Sequence, residues 1–216
     1  MTRGRLITIE GIDGAGKSTL AVALASGLRE RGVVPELLRE PGGVEAAERV
    51  RALVADPALA IAPRAEALLY AAARAQLVVE RLEPLLSSGR WVLLDRFVDS
   101  SLAYQGVGRG LGVERVAELN RFATGGLEPD RTLLLRIDPA LARGRQRERG
   151  QPPDRLEAAD EEFFLTVAGA YDALAAAEPA RIRTLDGTLD PPDLLAAALA
   201  EVEDLLPVPS DLQSRP

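Results

Sequence analysis

The chain has 216 residues, a formal net charge of −7 at pH 7 and a hydrophobic fraction of 47%. This length and composition are typical of one globular domain with a buried core, and the acidic balance gives no electrostatic support for coating nucleic acid. The sequence contains neither cysteine nor histidine, which excludes a disulfide framework, a thiol nucleophile and the commonest general base. Its chemistry must therefore use carboxylates, arginines, hydroxyls, a bound metal and the single lysine, Lys17.

The N-terminal residues predict a strand over 5–10, because they are short, β-branched and bounded. This strand begins too early to leave room for a signal peptide, and no apolar run approaches the roughly 20 residues of a membrane span. We therefore expect a cytoplasmic protein without a membrane partner.

A glycine-rich loop follows this strand. Residues 11–18 fit the pattern G-x-x-x-x-G-K-[ST], and apolar residues at helical spacing predict a helix over 19–31. A strand, a glycine loop and a helix N-terminus together form an anion site, to which a lysine ammonium adds a compact charge. The residues predicted to bind ATP are Gly11, Ile12, Asp13, Gly14, Ala15, Gly16, Lys17, Ser18 and Thr19.

Strands and helices alternate along the rest of the chain. Further strands are predicted over 33–38, 91–94, 132–137 and 181–185, and helices over 44–54, 63–86, 100–105, 113–124, from 139 to the break at 150, 157–177 and 191–206. This alternation predicts an α/β fold, a five-stranded parallel sheet with helices on both faces. We expect a single domain over 1–206 and a disordered tail over 207–216, with ligand-binding residues at the carboxyl ends of the strands.

Asp95 and Arg96 directly follow the third predicted strand. An aspartate at this position is typical of the carboxylate that holds Mg²⁺ near a phosphate loop, although it could instead cap the next helix. An arginine after it suits a second anion, such as an acceptor phosphate, and disfavours an ATPase motor, which usually places a glutamate there. Asp95 and the Ser18 hydroxyl are therefore the candidate metal ligands.

A run of arginines follows the fourth strand, namely Arg143, Arg145, Arg147 and Arg149. Glycine and proline at 150–153 bound the run, so residues of about 143–156 are predicted to form a mobile lid whose arginines stabilise a transferring phosphoryl group. The alternative is a solvated surface with screened charges.

Several motifs occur in a fixed order as far as about residue 205 and resemble those of the thymidylate kinases. They are residues 11–18, Arg39-Glu40-Pro41-Gly42-Gly43, Leu68-Leu69-Tyr70-Ala71-Ala72-Ala73-Arg74, Asp95-Arg96-Phe97, Ala103-Tyr104-Gln105-Gly106 and Asp154-Arg155-Leu156-Glu157. That family belongs to the P-loop nucleoside monophosphate kinases. The resemblance implies transfer of the γ-phosphoryl group of ATP to dTMP, with Mg²⁺, in a homodimer.

The resemblance also implies which residues bind the acceptor base. Tyr70 would stack on thymine, Arg74 would donate to a thymine carbonyl, and Ser101 and Gln105 would lie along the base. Taken alone, Tyr70 and Arg74 could be an ordinary helix pair four residues apart.

The sugar and the phosphate of the acceptor have their own implied partners. Asp13 would accept a hydrogen bond from the 3′-OH, and Tyr104 would pack on the sugar and disfavour a 2′-OH. Arg96 would hold the dTMP phosphate, with Arg39 and Arg51 close to it. Catalytic roles would fall to the cations, which are Lys17, Arg96, Arg145, Arg147 and Arg149.

Two positions distinguish this chain within the resemblance. Gly14 stands where eukaryotic members carry an arginine, so the chain follows the bacterial arrangement, in which the lid supplies the catalytic cations. Val44 stands where bacterial relatives usually have threonine, so any hydroxyl contribution is lost there.

Two other functions compete with this prediction. A deoxynucleoside kinase would share the fold, but its acceptor carries no phosphate, which the arginines at 39, 51 and 96 disfavour. A GTP-dependent switch needs a second lysine in its guanine-reading motif, and Lys17 is the only lysine.

Overall fold

The computed structural model describes residues 3–148, 150 and 154–207. Its sheet has five parallel strands, β1 (Leu6–Glu10), β2 (Glu36–Arg39), β3 (Val92–Asp95), β4 (Arg131–Arg136) and β5 (Ile182–Asp186). Their order is β2-β3-β1-β4-β5. The predicted α/β fold with a five-stranded parallel sheet is confirmed.

Helices connect the strands. They are α1 (Lys17–Glu30), α2 (Glu45–Ala55), α3 (Pro63–Leu77), α4 (Glu83–Ser87), α5 (Val98–Ser101), α6 (Val113–Thr124), α7 (Pro139–Glu148), α8 (Glu161–Ala177) and α9 (Pro191–Ala200). Two π-helical turns, Val78–Leu82 and Leu102–Gly108, continue α3 and α5, and a 3₁₀ turn covers Glu203–Leu205. None of the helices in the described part of the chain is long and apolar enough to span a bilayer.

The core lies on both faces of the sheet because side chains alternate along each strand. Ile7 and Leu93 belong to the larger cluster, which includes the buried stripe of α1. Leu6 and Val92 point the other way and pack with Leu77 at the end of α3. The sheet is therefore covered by helices on each side, which leaves its edges and ends for ligands.

Some predicted boundaries were wrong by a few residues. The predicted helix over 63–86 contains the π turn at 78–82, and the one predicted to begin at 157 begins at Glu161. Asp160 caps that helix, because its side chain accepts a hydrogen bond from the Phe163 amide. Residues 154–157 form a separate turn, in which Asp154 Oδ1 accepts hydrogen bonds from the amides of Leu156 and Glu157.

The register brings the carboxyl ends of three strands together. Ile9 pairs with Asp95, and Asp95 pairs with Arg39 on the other side. The phosphate loop, the Arg39 segment and Arg96 thus leave the sheet at one edge, as parallel topology requires. Of the predicted lid, Arg149 and residues 151–153 lie outside the described residues, as do residues 208–216 of the predicted tail.

Candidate active site

A cavity of about 420 Å³ opens at the carboxyl edge of the sheet. Fifteen predicted site residues line it, namely Asp13, Gly14, Gly16, Lys17, Ser18, Thr19, Arg39, Arg51, Tyr70, Asp95, Arg96, Ser101, Tyr104, Gln105 and Arg145. Residues predicted from separate motifs, up to 132 positions apart, thus share one site. Among the predicted residues that the structure describes, those that do not line the cavity are Gly11, Ile12, Ala15, Arg74 and Arg147.

The phosphate loop ends at Gly16, whose φ of 98° lies in the left-handed region that favours glycine. Helix α1 begins at the next residue, Lys17, so its N-terminus faces the cavity. The Lys17 side chain is 7% exposed, and its Nζ donates to the Ile12 carbonyl at 2.9 Å. Burial lowers the pKa of Lys17 to about 8, and the Arg96 charge acts in the same direction. A bound anion at this point would favour the charged ammonium.

Gly14 lies against the first turns of α7. Its φ is +86°, and a Cβ added there would come within 2.2 Å of the Ala142 carbonyl oxygen. No side chain fits between the phosphate loop and α7 at this position. This packing supports the expectation that position 14 does not supply a catalytic cation and that the lid arginines do so instead.

Ser18 and Asp95 form the candidate metal pair. The Ser18 hydroxyl donates to Asp95 Oδ2 at 2.6 Å, at the mouth of the phosphate loop. The described residues contain no group of three or more carboxylates placed to hold a metal. One hydroxyl and one carboxylate fit Mg²⁺, which binds few protein ligands and takes the rest from phosphates and water.

Asp13, Arg96 and Tyr104 form a compact cluster beside the loop. Arg96 Nη2 donates to Asp13 Oδ1 at 2.6 Å, and the Tyr104 hydroxyl donates to Asp13 Oδ2 at 2.9 Å. Despite burial, which acts in the opposite direction, the charges of Arg96 and Lys17 hold the pKa of Asp13 well below its usual range. Arg96 has a φ of 70°, a backbone conformation that costs free energy in a non-glycine residue and is concentrated at functional sites.

Glu10 supports this cluster from behind, although it belongs to no motif recognised in the sequence. Its Oε2 accepts hydrogen bonds from the hydroxyls of Ser100 (2.5 Å) and Tyr171 (2.9 Å), and its Oε1 accepts from the Phe97 amide (2.7 Å). Both hydroxyls also accept from Arg96 Nη1, at 3.1 and 3.3 Å. Burial raises the pKa of Glu10, and the Asp99 charge adds to this effect. Glu10 thus orients the groups that hold Arg96.

Arg74 is 2% exposed and lies behind the cavity wall. Its guanidinium donates to Glu40 Oε2, Ser101 Oγ, the Phe97 carbonyl and Asn120 Oδ1. Ser101 and Glu40 line the cavity, so Arg74 fixes two wall residues. Its predicted direct contact with a thymine carbonyl stays a prediction.

Arg39 and Arg51 flank the Pro41 carbonyl, to which their Nη1 atoms donate at 2.9 and 3.2 Å. Arg39 Nη2 also pairs with the Glu48 carboxylate at 2.9 Å. Val44 occupies the N-cap of α2 and offers no side-chain acceptor, and Glu48 accepts instead from the Gly43 amide at 2.8 Å. Two cations thus lie side by side on the cavity wall.

The described lid arginines differ in position. Arg145 lines the cavity, and its Nη1 donates to the Gly187 carbonyl in the turn after β5 at 2.9 Å. Arg143 donates to the Ala159 carbonyl at 3.0 Å, and Arg147 is exposed. Arg145 is therefore the lid arginine that the described structure places at the site.

The fold and this site define a class of protein. They are typical of a P-loop phosphotransferase that holds two phosphorylated ligands. The features that define this class are the parallel sheet, the phosphate loop with its lysine, the serine–aspartate pair and a second cationic pocket in the same cavity.

Comparisons with known proteins identify the family. The family model described as "Thymidylate kinase" matches residues 9–196. A thymidylate kinase of Halorhodospira halophila is 45% identical over 208 residues, 95% of this chain and 97% of its own, and one of Deinococcus radiodurans is 48% identical over 204 residues, 94% and 98%. The crystal structure of an Ehrlichia chaffeensis thymidylate kinase superposes with a TM-score of 0.75 at 29% identity, over 92% of this chain and 98% of that one. The chain belongs to the thymidylate kinase family.

Proposed function

We propose that this chain transfers the γ-phosphoryl group of ATP to the phosphate of dTMP, giving ADP and dTDP, with Mg²⁺ bound at the phosphate loop. The observation that carries the proposal is Arg96, a partly buried cation held between Asp13 of the phosphate loop and the hydroxyls of Ser100 and Tyr171. It places a second phosphate-binding charge in the cavity that contains Lys17. Membership of the thymidylate kinase family supports the same pair of substrates.

The phosphate loop and Lys17 hold the donor phosphates. Ser18 and Asp95 would hold Mg²⁺, which, when bound, neutralises charge on the phosphate oxygens. The Ser18–Asp95 hydrogen bond of 2.6 Å supports this assignment, because it brings the two candidate ligand oxygens together. Lys17 donates to a backbone carbonyl in the free protein and can exchange that acceptor for a phosphate oxygen.

The acceptor occupies the part of the cavity next to Asp13 of the phosphate loop. Tyr70, Ser101 and Gln105 line the cavity and would lie along the thymine base, and Tyr104 and Asp13 would contact the sugar. Because Asp13 already accepts from the Tyr104 hydroxyl, the two side chains form one fixed wall for deoxyribose. Arg74 supports the wall that faces the base, through its hydrogen bond to Ser101 at 2.9 Å.

The phosphate of dTMP lies beside Arg96, with Arg39 and Arg51 on its other side. Transfer needs positioning and charge stabilisation rather than a strong base, because the attacking oxygen belongs to an ionised phosphate. Arg145 and its lid neighbours Arg147 and Arg149 stabilise the charge that develops on the transferring group. The lid and the sheet together form a single catalytic domain over 1–206.

A nucleoside acceptor is disfavoured by the state of the nearby carboxylates. A nucleoside hydroxyl needs a base within hydrogen-bond reach. Asp13 is a weak base because its pKa is held low, and both Glu10 oxygens already accept from hydroxyls or amides. Neither of these two carboxylates beside Arg96 therefore provides such a base, which favours an acceptor that brings its own negative charge.

The chain also forms a homodimer in this proposal. Leu68, Ala72, Ala75 and Val79 recur at helical spacing along α3 and the turn after it, with Leu68 and Val79 57% and 62% exposed. Phe122 on the neighbouring helix α6 is 89% exposed. Such an apolar stripe on packed helices is typical of a helix-to-helix subunit interface.

Product analysis tests the proposed reaction. The chain is incubated with ATP, Mg²⁺ and dTMP, and the nucleotides are separated by chromatography. We expect ADP and dTDP in equal amounts, and ADP formation that depends on dTMP. ADP released at the same rate without dTMP, or no dTDP at all, would overturn the proposal.

A further inference from the structure

Glu66 is a fully buried carboxylate in the first turn of α3, and no sequence motif pointed to it. Glu66 does not line the cavity, but it contacts Gln105, which does, and also Arg109 and Arg155. Its oxygens accept from Gln105 Nε2 at 2.8 Å and from Arg109 Nε and Nη2 at 3.3 Å, and Arg155 Nη1 lies 2.7 Å away. A fully buried carboxylate needs charged partners, so Glu66 holds these side chains in place, and its own loss would leave the two arginines without their shared counter-charge.

Arg155 extends this contact to a second helix. Its Nε donates to the Val54 carbonyl at 2.9 Å, and its own amide donates to the Ala55 carbonyl at 3.1 Å. These carbonyls belong to the last turn of α2, where helical carbonyls lack partners and a cation is favoured. Val54 and Ala55 line the cavity, and Arg51 lies one turn earlier in the same helix.

The residues on either side of Arg155 in the chain face the cavity, whereas Arg155 itself contacts the helices. Asp154, Leu156 and Glu157 line the cavity, while Arg155 is held among α2 and α3. Asp154 Oδ1 accepts from the amides of Leu156 and Glu157, both at 2.9 Å, so the segment is a defined turn. Arg155 is therefore the contact that fixes this wall of the cavity to the two helices.

Glu66 is thus connected to four parts of the cavity lining. Tyr70 is one turn further along its own helix, Gln105 donates to it directly, and Arg155 connects it to the end of α2 and to the 154–157 turn. We propose that Glu66 is a positioning residue for the acceptor, which acts through Gln105 and Arg155 to shape the dTMP pocket. The inference rests on the proposed function and concerns residues that the phosphate loop does not use.

Two variants test this role. Glu66→Gln removes the charge that Arg155 and Arg109 share, and Arg155→Lys keeps a cation but loses the planar fork that reaches both Glu66 and Val54. We expect each to raise the KM for dTMP about tenfold, the effect of one lost charged hydrogen bond. The KM for ATP should stay within about twofold, because the phosphate loop makes no contact with Glu66.

Asp130→Asn is the matched control. Asp130 is a largely buried carboxylate that accepts from Arg3, Arg5 and the Leu6 amide, at the edge of the sheet where the strands begin. A purely structural role for Glu66 predicts that its variants behave like this control, with a lower Tm and an unchanged KM for dTMP. Measured on folded protein, such a result for both test variants would overturn the inference.

Steady-state kinetics on the wild type, both single variants and the double variant complete the test. If the two residues act as a unit, the double variant raises the KM for dTMP no further than the larger single effect. If Glu66→Gln fails to fold, Arg155→Lys alone decides. A raised KM for dTMP with an unchanged KM for ATP supports the inference, and an unchanged KM for dTMP overturns it. A wild-type chain that makes no dTDP would instead contradict the proposed function itself.

Discussion

Lys17 shares a small buried volume with Arg96 and with the carboxylates of Asp13, Asp95 and Glu10, all of which influence its charge. In the free protein, burial and the Arg96 charge lower its pKa to about 8, although the carboxylates oppose this effect. Nucleotide phosphates add negative charge next to Nζ and must raise the pKa again. Proton binding and nucleotide binding are therefore linked at this residue.

We expect ATP binding to take up a proton near pH 8.5 and ATP affinity to fall as the pH rises from 7 to 9. Because the folded-state pKa of Lys17 lies below its value of 10.5 in the unfolded chain, the unfolded chain binds more protons between these values. The contribution of Lys17 to the stability of the nucleotide-free protein therefore rises over that interval.

Titration calorimetry in buffers with different ionisation enthalpies measures the proton uptake. Lys17→Met is the control, and its weaker ATP binding should show no such uptake. Equal uptake in the two proteins would assign the proton to another group.

The sequence predicted the residues that belong to short motifs. Lys17, Asp95 and Arg96 could be placed because a loop pattern and the ends of parallel strands fix their surroundings. Glu10 and Glu66 could not, since their partners lie 90 and 39 residues away and only the folded chain brings them together. An acidic residue that ends an apolar strand, as Glu10 does, was the one available signal.

Helix α7 and the phosphate loop are in direct backbone contact at Gly14, and this contact decides how the loop and the arginine helix are placed relative to each other. The sequence predicted the loop and the helix separately. It could not predict their contact, because neither periodicity nor spacing encodes the approach of two backbones. The π turn at Val78–Leu82 was missed for a related reason, since the apolar residues around it continue at nearly helical spacing.

Gly14→Ala should lower kcat/KM by more than the backbone strain of an alanine at a positive φ would cause. The new methyl group would lie 2.2 Å from the Ala142 carbonyl oxygen, so the loop or α7 must shift. We expect kcat/KM to fall about a hundredfold, since a displacement of about 1 Å at reacting groups has that effect.

Gly126→Ala is the control for this substitution, because Gly126 has a similar φ of +81° and open space around it. It should lower the free energy of unfolding by about 1 kcal/mol through backbone strain and leave kcat/KM unchanged. Equal activity of the two alanine variants would show that the close approach to α7 is unimportant.

At the scale of the whole molecule, the exposed apolar stripe of α3 and Phe122 lie on the face of the sheet opposite α1. Phe122→Glu places a charge at the centre of the proposed subunit interface. We expect it to weaken the dimer at least about tenfold, as loss of a buried aromatic contact does.

Analytical ultracentrifugation over a range of concentrations measures this equilibrium. Val22→Glu, on an exposed position of α1, is the control and should leave the equilibrium unchanged. A wild-type chain that remains monomeric at all concentrations would contradict the homodimer.

In the proposed function, the phosphate loop and the cationic pocket together form a site for two phosphorylated ligands, and the central claim is that the pocket binds the acceptor phosphate. Steady-state kcat/KM for dTMP and for thymidine, each at saturating ATP and Mg²⁺, tests this claim most directly. We predict a preference for dTMP of about 10⁴ or more, because a site built to bind a charged group rejects an analogue that lacks it. Equal or faster turnover of thymidine would contradict the assignment of Arg96, Arg39 and Arg51 to an acceptor phosphate.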